Sequence, residues 1–234
     1  MRIVHAPLHG VSAKPRHLLK ALRLGKGGVV GFSECYPKRL HYFLKLHPGW
    51  RMFCGDTNRI DARKRHVGWD VTLMVRRRHK VLSHGSFKAA DEVKASLRVA
   101  PERWVVWVVI LTPAGPLLVV GAHPHAVPTP GTARARGYAG EWDLIEALIE
   151  RKRKRWPGLR VVLLGDFNHR DNGGPLTPAT SLRRLGMTWH SRGLDWIAWA
   201  GMKLAGGVLV ISPHDDGQDH PWLVADLIPT STKE

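Results

Sequence analysis

A chain of 234 residues with a hydrophobic fraction of 44% can bury a large core, and we expect a single domain over residues 1–234. Lysine and arginine total 36 against 19 aspartate and glutamate residues, and the formal net charge of +17 predicts attraction to polyanions, most commonly nucleic acid. The sequence has two cysteines, no apolar run near the ~18 residues of a membrane span, and no signal-peptide pattern, so we expect a soluble intracellular protein without a disulfide framework.

The predicted elements begin with a helix at residues 14–24, where Leu18, Leu19 and Leu22 recur at helical spacing before a glycine-rich stop. A short strand at 29–32 follows. The remaining predicted elements are a helix at 37–46, strands at 71–75, 104–111 and 117–122, a helix at 140–156, a strand at 161–164, a helix at 179–185, and strands at 194–199, 208–211 and 222–228. Because strands outnumber helices and the two types are mixed, the pattern favours a layered α/β sandwich over a doubly wound parallel sheet.

The segment at 163–170 (LLGDFNHR) is the most informative part of the chain. A buried aliphatic strand ends here, and side chains two residues apart in an extended chain point the same way. Asp166 and Asn168 are therefore expected to project together from the strand end, with Phe167 turned into the core. A carboxylate beside a carboxamide suits a hard cation or a water molecule, although the same residues also favour a simple Asx turn.

Other predicted strands also end or begin at polar residues useful for metal-assisted chemistry. These residues are Glu34, His123, Asp195, Asp219 and His220. The simplest interpretation is that these residues meet at one edge of a sheet. The sequence has no glycine-rich phosphate loop, so chemistry driven by a nucleotide is not expected.

In order and residue type, these segments resemble the motifs of the endonuclease/exonuclease/phosphatase superfamily, which includes DNase-I-like nucleases and apurinic-site endonucleases. The family's Q-E pair resembles residues 33–34, with Ser33 replacing the glutamine, and its N-T-H segment resembles residues 121–123. The G-D-F-N motif matches residues 165–168 in full, while R-I-D-Y and S-D-H resemble residues 193–196 and 218–220. The resemblance runs from about residue 3 to 227 and implies a four-layer sandwich of two mixed β-sheets flanked by helices.

Two positions depart from the family pattern. Pro7 stands where the family's first strand ends in an asparagine near the metal, so either His5 or His9 substitutes or the site has one contact fewer. By itself His5 is typical of a core or solvated histidine, and the sequence assigns it no role. In the histidine segment, His123 and His125 compete for one role.

The resemblance implies a Mg²⁺ or Mn²⁺ ion held by Glu34, because such ions prefer carboxylate oxygens, with Asp219 either completing the ion site or fixing His220. It also implies that Asp166 and Asn168 orient or deprotonate the attacking water.

The histidines receive the phosphate and proton-transfer roles. His220 contacts the scissile phosphate or transfers a proton and is held in one tautomer by Asp195, while His123 or His125 donates to a phosphate oxygen. Whether Asp166 or His220 is the base stays open from the sequence.

Clustered positive charge predicts the substrate. Arg63, Arg65 and the run Arg76, Arg77 and Arg78 are the candidates for tracking phosphates, which gives affinity without reading sequence. Small-molecule and lipid phosphoesterases do not need such a charge, so we expect a monomeric nuclease acting on DNA first and RNA second. The alternatives are a phosphoesterase on a lipid or inositol phosphate headgroup, and a catalytically impaired nucleic-acid-binding protein.

Overall fold

The computed structural model of the chain describes residues 1–8, 15–35, 47–55, 70–91, 93–95, 98–100, 102–126, 133–170, 178–212 and 220–230. The predicted helix at 37–46 and residues His9, Arg63, Arg65 and Asp219 lie outside these ranges. The described helices are α1 (Pro15–Leu24), α2 (Ala133–Arg155) and α3 (Pro178–Arg184). The described strands are β1 (Arg2–His5), β2 (Val29–Cys35), β3 (Trp50–Cys54), β4 (Asp70–Arg76), β5 (Lys80–Ala90), β6 (Val93–Ala95), β7 (Arg98–Ala100), β8 (Arg103–Thr112), β9 (Gly115–Ala122), β10 (Arg160–Asp166), β11 (Thr188–Arg192), β12 (Asp195–Ala200), β13 (Met202–Leu204), β14 (Leu209–Ile211) and β15 (Trp222–Pro229).

These strands form two large mixed sheets. The first has the order β13-β15-β1-β2-β4-β3, with β14 also paired to β15, and the second has the order β11-β12-β10-β9-β8-β5. Each sheet contains one parallel pair, β1 with β2 and β9 with β10, and its other pairs are antiparallel. Strands β6 and β7 form a separate two-stranded ribbon.

The apolar core has three clusters that separate four layers. Between the sheets, Leu73 of the first packs in one cluster with Val119 and Leu164 of the second. Leu18 of α1 covers the outer face of the first sheet, and Ile145 of α2 belongs to the cluster on the outer face of the second. The predicted four-layer α/β sandwich is therefore confirmed.

Strand directions place the ends of four central strands together. β1 and β2 run parallel with His5 opposite Gly31, and β9 and β10 run parallel with Gly121 opposite Leu164. We call the end of the sandwich where β1, β2, β9 and β10 finish the upper rim, and the end where they begin the lower rim. Among the described helices, none has the length and apolar character needed to cross a membrane.

Gly165 has a steric role at the upper rim. A Cβ built on it would overlap the carbonyl oxygen of Ala122 on β9, because the two strands approach closely beside the acidic residues. The glycine of the family's G-D-F-N motif is thus required here by backbone contact.

We expect Gly165→Ala to lower the free energy of unfolding by about 3 kcal/mol, because β9 and β10 must separate to accept the methyl group. Gly137→Ala is the matched control, since a Cβ there meets nothing within 4 Å and alanine favours α2 by about 1 kcal/mol. Urea unfolding of both variants measures this. Equal free energies of unfolding for the two variants would show that the close approach of β9 and β10 does not exclude a methyl group at position 165.

Candidate active site

Polar side chains from both sheets meet at the upper rim. The first sheet supplies His5, Glu34 and His220 at the ends of β1, β2 and β15. The second supplies Arg103, His123, Asp166, Asn168 and Asp195 from β8, β9, β10 and β12. The backbone N–H of Asp166 donates to Ser33 Oγ at 3.3 Å, which joins the two sheets directly at this rim.

Asp195 lies between two histidines. Its Oδ1 accepts a hydrogen bond from His5 Nε2 at 2.9 Å, and its Oδ2 accepts one from His220 Nδ1 at 2.9 Å. A carboxylate can only accept, so each of these ring nitrogens carries its hydrogen, and Nε2 is the His220 atom placed to exchange a proton. Both His5 and Asp195 are fully buried, and His5 Nδ1 has no hydrogen-bond partner among the described residues.

Asp166 is a buried carboxylate that faces a second one. It pairs across the sheet with Asp195 and is 3% exposed. Burial, followed by the charge of Asp195, raises the pKa of Asp166 to about 7. Its Oδ2 lies 3.6 Å from His220 Nδ1 and 3.7 Å from His123 Nε2. Because neither histidine nitrogen is within hydrogen-bonding distance, the negative charge of the Asp166 carboxylate is only partly compensated.

Two residues at this rim adopt a left-handed backbone. Glu34 has φ of 56° and Asn168 has φ of 51°, and within the described ranges they are the residues other than glycine with positive φ. Such conformations cost about 1–3 kcal/mol each and cluster at functional sites. Glu34 also falls in a register shift between β2 and β4, which turns its side chain out of the regular sheet pattern.

Asn168 is fixed by its own hydrogen bonds. Its backbone N–H donates to Asp166 Oδ1 at 2.8 Å, which is the Asx turn considered from the sequence. Its side-chain Nδ2 donates to the carbonyl oxygen of Pro124 at 2.8 Å. Phe167 between them is fully buried, as predicted. The Asx turn and the pair of polar side chains Asp166 and Asn168, which the sequence offered as alternatives, therefore occur together.

Arg103 contacts both ring nitrogens of His123. Its Nη1 lies 3.0 Å from Nδ1 and 3.4 Å from Nε2. The shorter contact, together with the Asp166 carboxylate 3.7 Å from Nε2, favours the neutral tautomer that accepts at Nδ1 and carries its hydrogen on Nε2. Burial, and then the charge of Arg103, hold the pKa of His123 well below its usual value. His123 is therefore a neutral donor at physiological pH.

His125 turns towards α2 instead. Its Nδ1 donates to Glu141 Oε1 at 2.6 Å, and its backbone N–H donates to Glu141 Oε2 at 3.0 Å. Of the two competing histidines, His123 is thus the one beside Asp166.

The donor set suits a hard divalent ion. Ligand atoms of Asp166, Asp195 and His220 all lie within 4.8 Å of one another. Glu34 is close enough that its charge also raises the pKa of Asp166. Both oxygens of Asp195 already accept hydrogen bonds from histidines, and Asp166 is the other carboxylate of this group.

The arginine run 76–78 does not reach this site. β4 pairs antiparallel with β2, with Val75 opposite Val29, so Arg76, Arg77 and Arg78 lie at the lower rim. Glu34 lies five residues after Val29 along β2, about 17 Å at the strand rise. These arginines therefore do not line the candidate site, and their contact with phosphates at this sheet edge stays a prediction. Arg76 instead stacks over Trp50 at 4.5 Å.

Arg103 and Glu141 were not predicted from the sequence, and His5 was named only as one of two possible substitutes for the family asparagine. The available signal for Arg103 was a charged residue directly before a buried strand, and for His5 a histidine at the end of one. Glu141 gave no signal beyond an acidic residue in a helix.

Solved structures of the endonuclease/exonuclease/phosphatase superfamily share this DNase-I-like fold. A family protein from Bacteroides thetaiotaomicron has a TM-score of 0.72 at 11% identity, covering 99% of this chain and 95% of that one. A mannosyl-6-phosphatase from Bacteroides thetaiotaomicron VPI-5482 has 0.72 at 11%, covering 97% and 99%. TDP2 of D. rerio, complexed with a single-strand DNA product, has 0.66 at 14%, covering 97% and 98%. The sequence matches no protein-family model and no curated protein.

Proposed function

We propose that the protein is a divalent-metal-dependent phosphodiesterase, and specifically a nuclease that hydrolyses DNA. The observation that carries the proposal is the joining of Asp166 to the His5–Asp195–His220 chain at one rim of the two sheets. A base, a charge-compensating site and a histidine held in one tautomer are what phosphodiester hydrolysis requires.

Mg²⁺ or Mn²⁺ held by Glu34 and Asp166 would neutralise charge on the phosphoryl oxygens. Asp219, the second metal ligand predicted from the sequence, stays a prediction because it lies outside the described residues.

The chain's own residues perform the remaining steps. Asp166 and Asn168 orient the attacking water, since one is a carboxylate and the other a rigidly held amide. The Nε2–H of His123 donates to a phosphoryl oxygen, with His125 nearby as a weaker candidate for the same contact. His220 exchanges a proton at Nε2 while Asp195 holds its other nitrogen.

Net charge supports nucleic acid as the substrate. The value of +17 favours a polyanion, and the similar TDP2 structure holds a DNA product. RNA is the second choice. Arg63 and Arg65 stay candidates for phosphate contact outside the described residues, and the protein is proposed to act as a monomer.

The proposal is tested on supercoiled plasmid with Mg²⁺ or Mn²⁺, using EDTA as the control. Nicking that EDTA stops is the expected result. A parallel set of phosphomonoesters and inositol phosphates tests the second candidate, which the similarity to a mannosyl-6-phosphatase favours. Cleavage of those compounds without nicking would replace the nuclease proposal. Salt-sensitive DNA binding without any cleavage would select the impaired binding protein.

His5 is proposed as a positioning residue that stands in for the family asparagine replaced by Pro7. His5→Phe removes the donor to Asp195 Oδ1, and we expect kcat to fall about tenfold with KM unchanged, as for other partners of a catalytic group. His5→Gln can still donate an N–H and should recover most of the activity. Equal losses in both variants would indicate a packing role only.

Metal affinity should depend on the protonation of Asp166. Its pKa of about 7 means that a proton competes with the ion below that pH and not above it. We expect calorimetric Mn²⁺ affinity to weaken about tenfold between pH 8 and pH 6, with proton release on binding at the lower pH. Affinity that is constant over this range would contradict the assignment of Asp166 as a ligand.

A further inference from the structure

A cavity of about 500 Å³ opens at the lower rim, between the two sheets. Arg160 begins β10 and lines this cavity, whereas Asp166 ends the same strand at the upper rim. Asp166 lies six residues after Arg160, about 20 Å of extended chain. The cavity therefore does not belong to the candidate active site.

The cavity wall combines apolar side chains with cations. Most of its exposed surface is contributed by apolar atoms, and its apolar lining includes Met1, Leu111, Pro113, Leu117, Met202 and Leu227. Arg78 and Arg160 supply positive charge, and none of the lining residues is acidic.

Both guanidinium groups are held in place. Arg78 Nη2 donates to the carbonyl oxygen of Gly27 at 2.9 Å, and Arg160 Nη1 donates to Thr112 Oγ1 at 3.5 Å. Each contact uses one nitrogen of a group with five N–H donors. Partial withdrawal of its charge from water lowers the pKa of Arg160. An anion that enters the cavity would replace that lost hydration.

We propose that this cavity binds a small amphipathic anion, with an apolar chain or ring against the leucines and methionines and an acidic head group on Arg78 and Arg160. A purely apolar ligand would leave the two guanidinium groups without a counter-charge. A small anion without an apolar part would leave the apolar wall of the cavity in contact with water. Amphipathic monoanions satisfy both requirements.

The methionines allow a direct test with decanoate as the probe. Of the five methionines, Met1 and Met202 line the cavity and Met52, Met74 and Met187 do not. In protein labelled with ¹³C at the methionine methyl groups, we expect decanoate to shift the Met1 and Met202 signals and leave the other three unchanged. Decanol and decyltrimethylammonium, of equal chain length, should bind at least about tenfold more weakly, because each lacks the negative charge.

Substitutions separate the cavity from the general positive charge of the chain. The double variant Arg78→Gln with Arg160→Gln should weaken decanoate binding at least about tenfold. Arg77→Gln is the matched control, since Arg77 lies in the same turn and does not line the cavity. No shift with millimolar decanoate, shifts at all five methionines, equal binding of decanol, or an equal effect of Arg77→Gln would overturn the proposal. The readout does not involve hydrolysis, so it stands or fails independently of the proposed nuclease activity.

Discussion

Replacing Asp166 with asparagine is expected to lower kcat for DNA cleavage by about 10³-fold or more, roughly 4 kcal/mol of barrier, while the protein stays folded. In the native protein the backbone N–H of Asn168 donates to Asp166 Oδ1 at 2.8 Å, and an asparagine at position 166 still offers an oxygen for this hydrogen bond. It removes the negative charge at Oδ2, which lies 3.6 Å from His220 and 3.7 Å from His123. Plasmid nicking measured at saturating Mg²⁺ checks the loss.

The same substitution should not destabilise the protein. The folded-state pKa of Asp166 is about 7 against a usual value of 3.8, so the folded state binds the proton more tightly than the unfolded chain. Ionised Asp166 therefore lowers the free energy of unfolding at pH 8, and a neutral amide removes that cost. We expect Tm at pH 8 in EDTA to be unchanged or higher.

Asp226→Asn is the control for this prediction, because Asp226 pairs with Arg2 on the surface of β15, away from the site. It should retain full activity. A large drop in Tm for Asp166→Asn would mean that the lost activity reports unfolding, and full activity would remove Asp166 from the mechanism. A buried carboxylate that costs stability is the expected signature of a residue kept for chemistry.

The sequence predicted the parts of this fold whose local pattern and tertiary environment agree. The strand before Gly165 is buried on both faces, so its aliphatic run is unambiguous. β5 was not predicted, because Ser83, His84 and Gly85 interrupt any apolar pattern and the strand lies at the edge of its sheet. Edge strands need fewer apolar residues and therefore give a weaker signal.

Helix α2 begins at Ala133, seven residues before the predicted start at 140. Gly137 and Gly140 lower the helical propensity of that turn, yet Tyr138 buries its side chain in the cluster against the second sheet and Ala135 is also buried. Tertiary packing thus overrides propensity here. The same limit explains why His5 was assigned no role, since only the packing of the first sheet against the second brings His5 of β1 to Asp195 of β12.

His220→Gln tests the proton-transfer step. Glutamine can still donate an N–H to Asp195, but it cannot take up and release a proton near neutral pH. We expect kcat to fall about 10³-fold, within the range for loss of a general acid or base, with little change in DNA affinity. The limb of the pH–rate profile that reports this histidine should disappear in the variant.

His84→Gln is the matched control, since His84 is exposed on β5 and its ring lies tilted against that of Phe53, with the ring centroids 5.0 Å apart. It should cleave DNA at the unaltered rate. If His220→Gln kept the full rate and its pH dependence, Asp166 would have to act as the base alone. Because Asp195 Oδ1 is already taken by His5, Asp195 could not assume the lost role, so a retained rate would exclude the whole His5–Asp195–His220 chain from the reaction.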